Sequence, residues 1–224
     1  MSARGMTQLR DIEYLAYISQ GNIPSRKAHT TQACQMAAAF ADHVPHVELI
    51  TQGQLHPGRH GRATKDIATW YGLPDDLKIR RLPVSARSIS DDEGFIRRVP
   101  KRFARFAALY CRFRRPQLVY TRLLKAAVQT CRMRLPTVLE THDPPAHQES
   151  LFAEVAEQAK TPWFRGLVTV SPVLGRIFAE HGIPENKILV SPDAANTVPF
   201  DQANAQLGGG RPNGGQRSDR PVSY

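Results

Sequence analysis

Tyr14-Leu15-Ala16-Tyr17-Ile18-Ser19-Gln20-Gly21-Asn22-Ile23-Pro24-Ser25-Arg26-Lys27-Ala28-His29, continuing to Ala41, reads as strand, loop and helix. Tyr14–Ser19 is a short run of mostly apolar, aromatic and branched side chains, the form of a strand buried on both faces. It is expected to stop at Gly21, which permits φ > 0, and at Pro24, which fixes its own φ. A helix follows, with Thr30 or Thr31 available as N-cap and Ala33, Met36, Ala37 and Phe40 on one face. Arg26, Lys27 and His29 lie at the junction. A strand feeding a loop that opens a helix aims unpaired N–H groups and a partial positive charge at one spot. Cations beside that spot suit an anion or a polyol. An ordinary strand–helix connection with solvated charges is the plainer alternative.

The same alternation continues along the chain. Strands are expected at His46–Thr51, Leu77–Pro83, Gln117–Thr121, Pro136–His142, Gly166–Ser171 and Ile188–Pro192. Helices are expected at Lys65–Tyr71, from Pro100 through the basic segment, at Leu123–Arg134, from Pro144 to Ala159, and after Pro172. Ser171 as N-cap, Pro172 in the first turn and Gly182 past the end give the sharpest helix boundaries. Leu77–Pro83 alternates apolar with basic, which suits a strand nearer the edge with one wet face. Strands alternating with helices at this spacing mean an α/β fold with a Rossmann-like, doubly wound parallel sheet. Ligands of such sheets bind beyond the carboxyl ends of the strands. That rim gathers the Gly21–His29 loop, Arg122, the cluster Glu140, His142 and Asp143, and Ser171.

The chain has 224 residues, enough for one large domain, and 41% are apolar. Cys34, Cys111 and Cys131 are odd in number and far apart, which argues against a disulfide framework or a zinc site and for buried thiols in a reducing compartment. No apolar run reaches the ~18 residues of a membrane span. A cytoplasmic protein is expected, without a metal site. From residue 201 onward the chain is rich in Gly, Pro, Asn, Ser and Arg, and residues 201–224 are expected to be a disordered tail.

The net charge of +10 is concentrated. Between Phe95 and Arg115 stand Arg97, Arg98, Lys101, Arg102, Arg105, Arg112, Arg114 and Arg115, with no acid among them. At about 100° per residue, Val99, Phe103, Phe106, Ala107, Tyr110 and Phe113 collect on one face. The cations collect on the other, with only Arg114 near the apolar edge. The apolar face is expected to lie on the sheet. Aromatics placed there cannot stack on bases, so nucleic acid is not the expected partner.

Several chemistries are missing. The loop after the first strand is not GxGxxG and the second strand ends without an acid, which speaks against a dinucleotide cofactor. GxxxxGK[ST] and GxSxG are absent, which removes P-loop NTPases and the nucleophile elbow.

Three pieces carry a family resemblance. They are Asn22-Ile23-Pro24-Ser25-Arg26-Lys27-Ala28-His29, Leu139-Glu140-Thr141-His142, and a closing stretch. The closing stretch comprises Val168–Ser171, His181–Ile188, Ser191-Pro192-Asp193-Ala194-Ala195-Asn196 and Phe200. Over about Ile12 to Phe200 the chain resembles the N-terminal, acceptor-side domain of family 4 glycosyltransferases, the retaining group with the two-domain GT-B fold. Ala194 stands where that family usually has Gly, and Asn196 where it has Asp.

The resemblance implies that residues 1–200 are one GT-B half-domain. It implies an enzyme that moves a sugar from a nucleotide-sugar donor to an acceptor when a second, donor-binding domain is supplied. It further implies that Gly21 and Asn22 approach the donor phosphates or transferred sugar, and that His142 lines the cleft near the reacting hydroxyl. His142 would position and hydrogen-bond rather than attack, supported by Arg122 and Asp143. Arg26, Lys27, His29, Glu140 and Ser171 complete the candidate donor and acceptor cleft. After Phe200 no donor domain is visible, so this chain alone is expected to be inactive: a truncated or frame-shifted product, or one subunit of a split transferase whose partner chain supplies the donor half. The alternative is a non-catalytic binding or membrane-docking module of the same ancestry. Acceptors in this family are often lipid-linked, so Arg98, Lys101, Arg102 and Arg105 are expected to hold the protein peripherally at an acidic inner membrane face, by charge alone.

Overall fold

The structure is a computed structural model, and it describes residues 11–23, 27–53, 64–74, 77–83, 99–145 and 148–192. Seven parallel strands form one sheet: β1 (Tyr14–Asn22), β2 (His46–Gly53), β3 (Lys78–Pro83), β4 (Leu118–Thr121), β5 (Thr137–Thr141), β6 (Phe164–Thr169) and β7 (Ile188–Val190). Their order across the sheet is β3-β2-β1-β4-β5-β6-β7. Between them run α1 (Ala28–Ala41), α2 (Thr64–Tyr71), α3 (Val99–Arg114), α4 (Leu124–Arg132), α5 (Glu149–Ala159) and α6 (Pro172–Glu180). This is the expected α/β, Rossmann-like sheet, with β3 at one edge and its basic side chains Lys78 and Arg80 exposed.

The helices divide between two faces because the strand order reverses direction at β1. On one face α1 and α2 close a core with Leu15, Tyr17, Leu49 and Tyr120. The residues that alternate with these, Ala16, Ile18, Ile50 and Val119, face α3, where Phe103, Ala104, Ala107 and Cys111 pack against them. Leu139 pairs with Thr121, two positions on from Val119, and so shares the α3 face; it joins Leu167 and the apolar stripes of α4, α5 and α6. All three thiols are free and buried, and burial pushes Cys34 up to about 12 and Cys131 to about 11.

Several boundaries differ from the sequence expectation, each for a local reason. β1 does not stop at Gly21 but runs to Asn22, which pairs with Gln52 after a slip in register beyond Ile18. An irregularity of this kind re-aims a strand end, and Gly tolerates it. α1 begins at Ala28, a strong helix former, so neither Thr30 nor Thr31 caps it; Lys27 holds the cap position with no side-chain cap bond. α5 starts at Glu149 instead of Pro144, because Pro145 disfavours helical backbone in the residue before it. β6 begins two residues early, at Phe164, whose ring is fully buried. That frees Ser171, which does cap α6 by accepting from the Leu174 N–H at 3.2 Å.

The largest correction concerns α3. Phe103, Ala104, Ala107, Ala108 and Cys111 form its buried face, while Phe106 is 54% and Phe113 84% exposed. The face expected from Val99, Phe103, Phe106, Ala107, Tyr110 and Phe113 lies about one residue's turn of the helix, ~100°, from the one observed. Small residues at Ala104, Ala107 and Ala108 let the helix approach the sheet and α4 closely, and that packing outweighs the aromatics. The expectation that the aromatic side of α3 is committed to the sheet is therefore wrong for Phe106 and Phe113. Residues 193–224, including the expected tail, lie outside the described residues, as do Pro24–Arg26 and Arg98.

Candidate functional site

The strand order reverses between β1 and β4, and crevices of such sheets open beyond the carboxyl ends of the two strands that flank the reversal. Arg122 follows β4 directly, His142 follows β5, and Gln32 and His29 sit in the first turns of α1 above β1. Arg122 ties these elements together. Its Nη1 donates to Gln32 Oε1 at 2.6 Å, its Nη2 meets His142 Nδ1 at 2.8 Å, and its Nε lies 3.6 Å from Glu140 Oε1. His142 Nε2 meets the same Glu140 oxygen at 2.6 Å, and Tyr120 donates its hydroxyl to Glu140 Oε2 at 2.8 Å.

The chemistry of these groups fixes a tautomer. A guanidinium can only donate, so Nδ1 of His142 accepts from Arg122 and the ring proton on Nε2 goes to Glu140. Both ring nitrogens are thus held within the protein. A hydroxyl that hydrogen-bonds His142 must exchange with one of these partners, while the Arg122 fork remains the more accessible donor. The side chains of Arg122 and His142 are 26% and 20% exposed, and Glu140 is buried beneath them.

Beneath the rim, Tyr120 meets Tyr17 and Phe40 edge-on, with ring centroids 5.4 and 4.9 Å away. Burial, followed by the negative charge of Glu140, pushes the Tyr120 phenol far above its usual range, so it stays a donor to that carboxylate. At the start of α1 the helix N-terminus has no side-chain cap, and the buried Thr30 Oγ1 has no partner among the described residues. His29 stands beside it, and its pKa is lowered by burial and by the positive charges of Lys27 and Arg122. Lys27 and Arg122 thus bring positive charge to this end of the sheet, set against the carboxylates of Glu140 and Asp143.

The expected site residues separate into three groups. Arg122, Glu140 and His142 are bonded to one another, and His29 and Lys27 lie on the adjoining end of α1. Asp143 is exposed on the same rim, and Ser171 lies at the end of β6 with its hydroxyl occupied as a cap. Gly21 and Asn22 form the end of β1, and nothing is described of their side chains or of Arg26. Gln32 and Tyr120 were not singled out from the sequence. Gln32 is three residues from His29 on the first turns of α1, a spacing that marks one helix face. Tyr120 lies inside a strand, where its sequence context carries no signal of its partner Glu140. Among the described residues no group of His, Cys, Asp or Glu is arranged to hold a metal.

No protein-family model matches the sequence, and no curated protein matches it. Solved structures do. The chain is similar to Anabaena Alr3699/HepE in complex with UDP-glucose, at 14% identity and TM-score 0.51, over 87% of this chain and 50% of that one. The same protein in complex with UDP matches at 13% identity and TM-score 0.50, over 87% and 50%. The apo form of the lipopolysaccharide outer core galactosyltransferase WaaB matches at 10% identity and TM-score 0.47, over 82% and 46%, too distant to carry an argument. This chain spans about half the length of the structures it matches. At such identities the likeness establishes the fold: a Rossmann-like GT-B half-domain.

Proposed function

We propose that this chain is the acceptor-side half of a retaining glycosyltransferase and that its carboxyl-end rim forms one wall of the cleft in which a nucleotide sugar meets an acceptor hydroxyl. The observation that carries this reading is the Gln32–Arg122–His142–Glu140 cluster at the reversal of strand order, beside a helix N-terminus whose cap residue, Lys27, makes no side-chain cap bond. Anabaena HepE, which this chain matches in fold over half of that protein's length, holds UDP-glucose, and a sugar diphosphate matches a rim that offers Arg122, Lys27 and hydrogen-bonding groups.

In the transfer, the bond from the anomeric carbon to the donor phosphate breaks and a bond to the acceptor oxygen forms on the same face. The acceptor proton passes to the departing phosphate oxygen. Arg122 holds developing negative charge or a sugar hydroxyl, and His142 fixes the orientation of the reacting sugar. Glu140 keeps both side chains in place. Gly21, Asn22 and Arg26 approach the donor from β1, Lys27 and His29 from α1, and Asp143 and Ser171 border the cleft. The exposed Arg102 and Arg105, with Arg98 and Lys101, turn the protein towards an acidic membrane face that carries the acceptor.

Two measurements test the reading. With a panel of UDP- and GDP-sugars, this chain alone is expected to transfer nothing above a no-enzyme control; turnover by the isolated chain would refute the half-enzyme reading. UDP-glucose added to isotopically labelled protein is expected to move NMR signals of Lys27–Gln32, Arg122 and His142. Signals that move only elsewhere, or nowhere, would place the ligand outside this rim.

A further inference from the structure

Helix α3 carries a second surface that the rim does not use. Phe106, Leu109 and Phe113 recur at i, i+3 and i+7, on one helical face, and are 54%, 58% and 84% exposed. With Leu82, Pro83 and Tyr110 they line an open groove of ≈ 780 Å³, bordered by Arg112 and Arg115. Arg102 and Arg105 are exposed on the preceding turns of the same helix, and no acid occurs anywhere in α3. Scattered exposed apolar residues need no explanation, but three in register beside a common groove do.

We infer that this strip inserts into the interface of an anionic lipid bilayer, with the arginines on the lipid phosphates. The inference deepens the membrane reading above but stands on different residues, since that reading required charge alone. Charge complementarity selects the occupant. A second copy of the chain would set Arg105, Arg112 and Arg115 against their own counterparts across a two-fold axis, since an isologous contact joins the same patch to itself. Single-stranded nucleic acid fits the cations and stacks on aromatic rings. Here, however, Leu109 lies between the two phenylalanines, so the rings form no continuous platform on which successive bases could stack. A bilayer interface accepts both parts: apolar side chains enter below the headgroups while flanking arginines stay at the phosphates. Arg114 does not take part; its guanidinium sits over the Tyr14 ring at 5.9 Å, on the sheet side.

The test uses the full chain with vesicles of phosphatidylcholine and phosphatidylglycerol, and with phosphatidylcholine alone. Phe106→Ser, Leu109→Ser and Phe113→Ser combined alter side chains that are more than half exposed, so only a small fall in melting temperature is expected. Partitioning onto anionic vesicles at high salt should fall by at least about tenfold, equivalent to about 1.4 kcal/mol. In a Phe113→Trp variant, the difference spectrum against the parent should shift to the blue with anionic vesicles, and brominated lipid should quench it. Arg98, Lys101, Arg102 and Arg105 changed together to Gln should weaken low-salt binding while leaving any residual blue shift. If the apolar triple variant binds like the parent and the introduced indole shows no shift, insertion is wrong and only charge docking survives. If neither variant set changes vesicle binding, both readings are wrong. Quenching of the introduced indole by an oligonucleotide in place of vesicles, or a concentration-dependent shift with no lipid present, would overturn the proposal in favour of nucleic acid or self-association.

Discussion

Glu48 and Glu140 are both buried, both accept from tyrosine hydroxyls and both lie beside an arginine, yet they stand at opposite ends of the sheet's strands. Glu48, near the start of β2, accepts from Tyr14 at 2.6 Å, from Tyr110 at 2.7 Å and from Arg80 at 3.3 Å. Arg80 and Arg114 lie over the rings of Tyr110 and Tyr14, so every partner is itself held. Burial pushes Glu48 up, but the hydrogen bonds from Tyr14, Tyr110 and Arg80 and the charge of Arg114 outweigh it and hold the carboxyl below its ordinary range. This cluster fastens α3 to the amino-terminal end of the sheet. Glu140 serves side chains at the other end, where strand ends and a helix N-terminus leave donors facing the crevice. The same inventory is a clamp in one place and, in the function proposed above, a recognition surface in the other, and the difference is which end of a parallel sheet it occupies.

Breaking the clamp should have the largest effect. Glu48→Ala removes the acceptor of two tyrosines and an arginine, and hydrogen bonds to a charged group are worth about 1.5–3 kcal/mol, so a loss of about 2–4 kcal/mol is expected in urea unfolding. Glu140→Ala should cost less, about 1–2 kcal/mol, because it strands only the buried Tyr120 hydroxyl while Arg122 and His142 can turn to water. Equal losses would erase the distinction between the two clusters.

Acid should test the charge in the clamp. A carboxyl whose folded pKa is depressed contributes stability that is complete above its unfolded value, 4.5, and is lost as pH falls through the folded value. The parent is therefore expected to lose melting temperature below about pH 4.5, and Glu48→Gln to lose less over the same window. Parallel curves would show that the carboxylate charge does not stabilise the clamp.

At the rim, Arg122→Ala should release Nδ1 of His142, so nitrogen NMR should show the single Nε2–H tautomer of the parent giving way to a mixture. An unchanged tautomer would mean that Glu140 alone fixes the ring. The smallest effect belongs to His29. Its folded pKa is lowered, so its contribution is complete above the ordinary value of 6.5 and declines as pH falls below it. His29→Ala should flatten that shallow slope, measured as melting temperature between neutral and mildly acid pH.

The sheet was legible because its signals are redundant. Apolar runs such as Leu15–Ile18 and Leu167–Val170, each closed by turn residues, recur at helix-length spacing, and parallel crossovers admit one hand. Glu140, His142 and Arg122 were legible as strand-end polar residues. Gln32 and Tyr120 were not, because their roles depend on which helix and strand meet in space. Glu48 was passed over inside an apolar strand, where a lone carboxylate is itself a signal of a buried partner set. On α3, weighting aromatics above alanines chose the wrong face, since close packing is decided by the small residues as much as by the large.

If the two clusters differ as proposed, the Glu140 cluster binds and the Glu48 cluster only holds. A UDP-glucose titration followed by NMR on the parent, Glu140→Gln and Glu48→Gln proteins tests this directly. The account predicts weak binding at the rim in the parent, weakened about tenfold by Glu140→Gln, the factor that about 1.4 kcal/mol represents, and unchanged by Glu48→Gln. Equal weakening by both substitutions, or parent signals that move around Glu48 and not around His142, would contradict it.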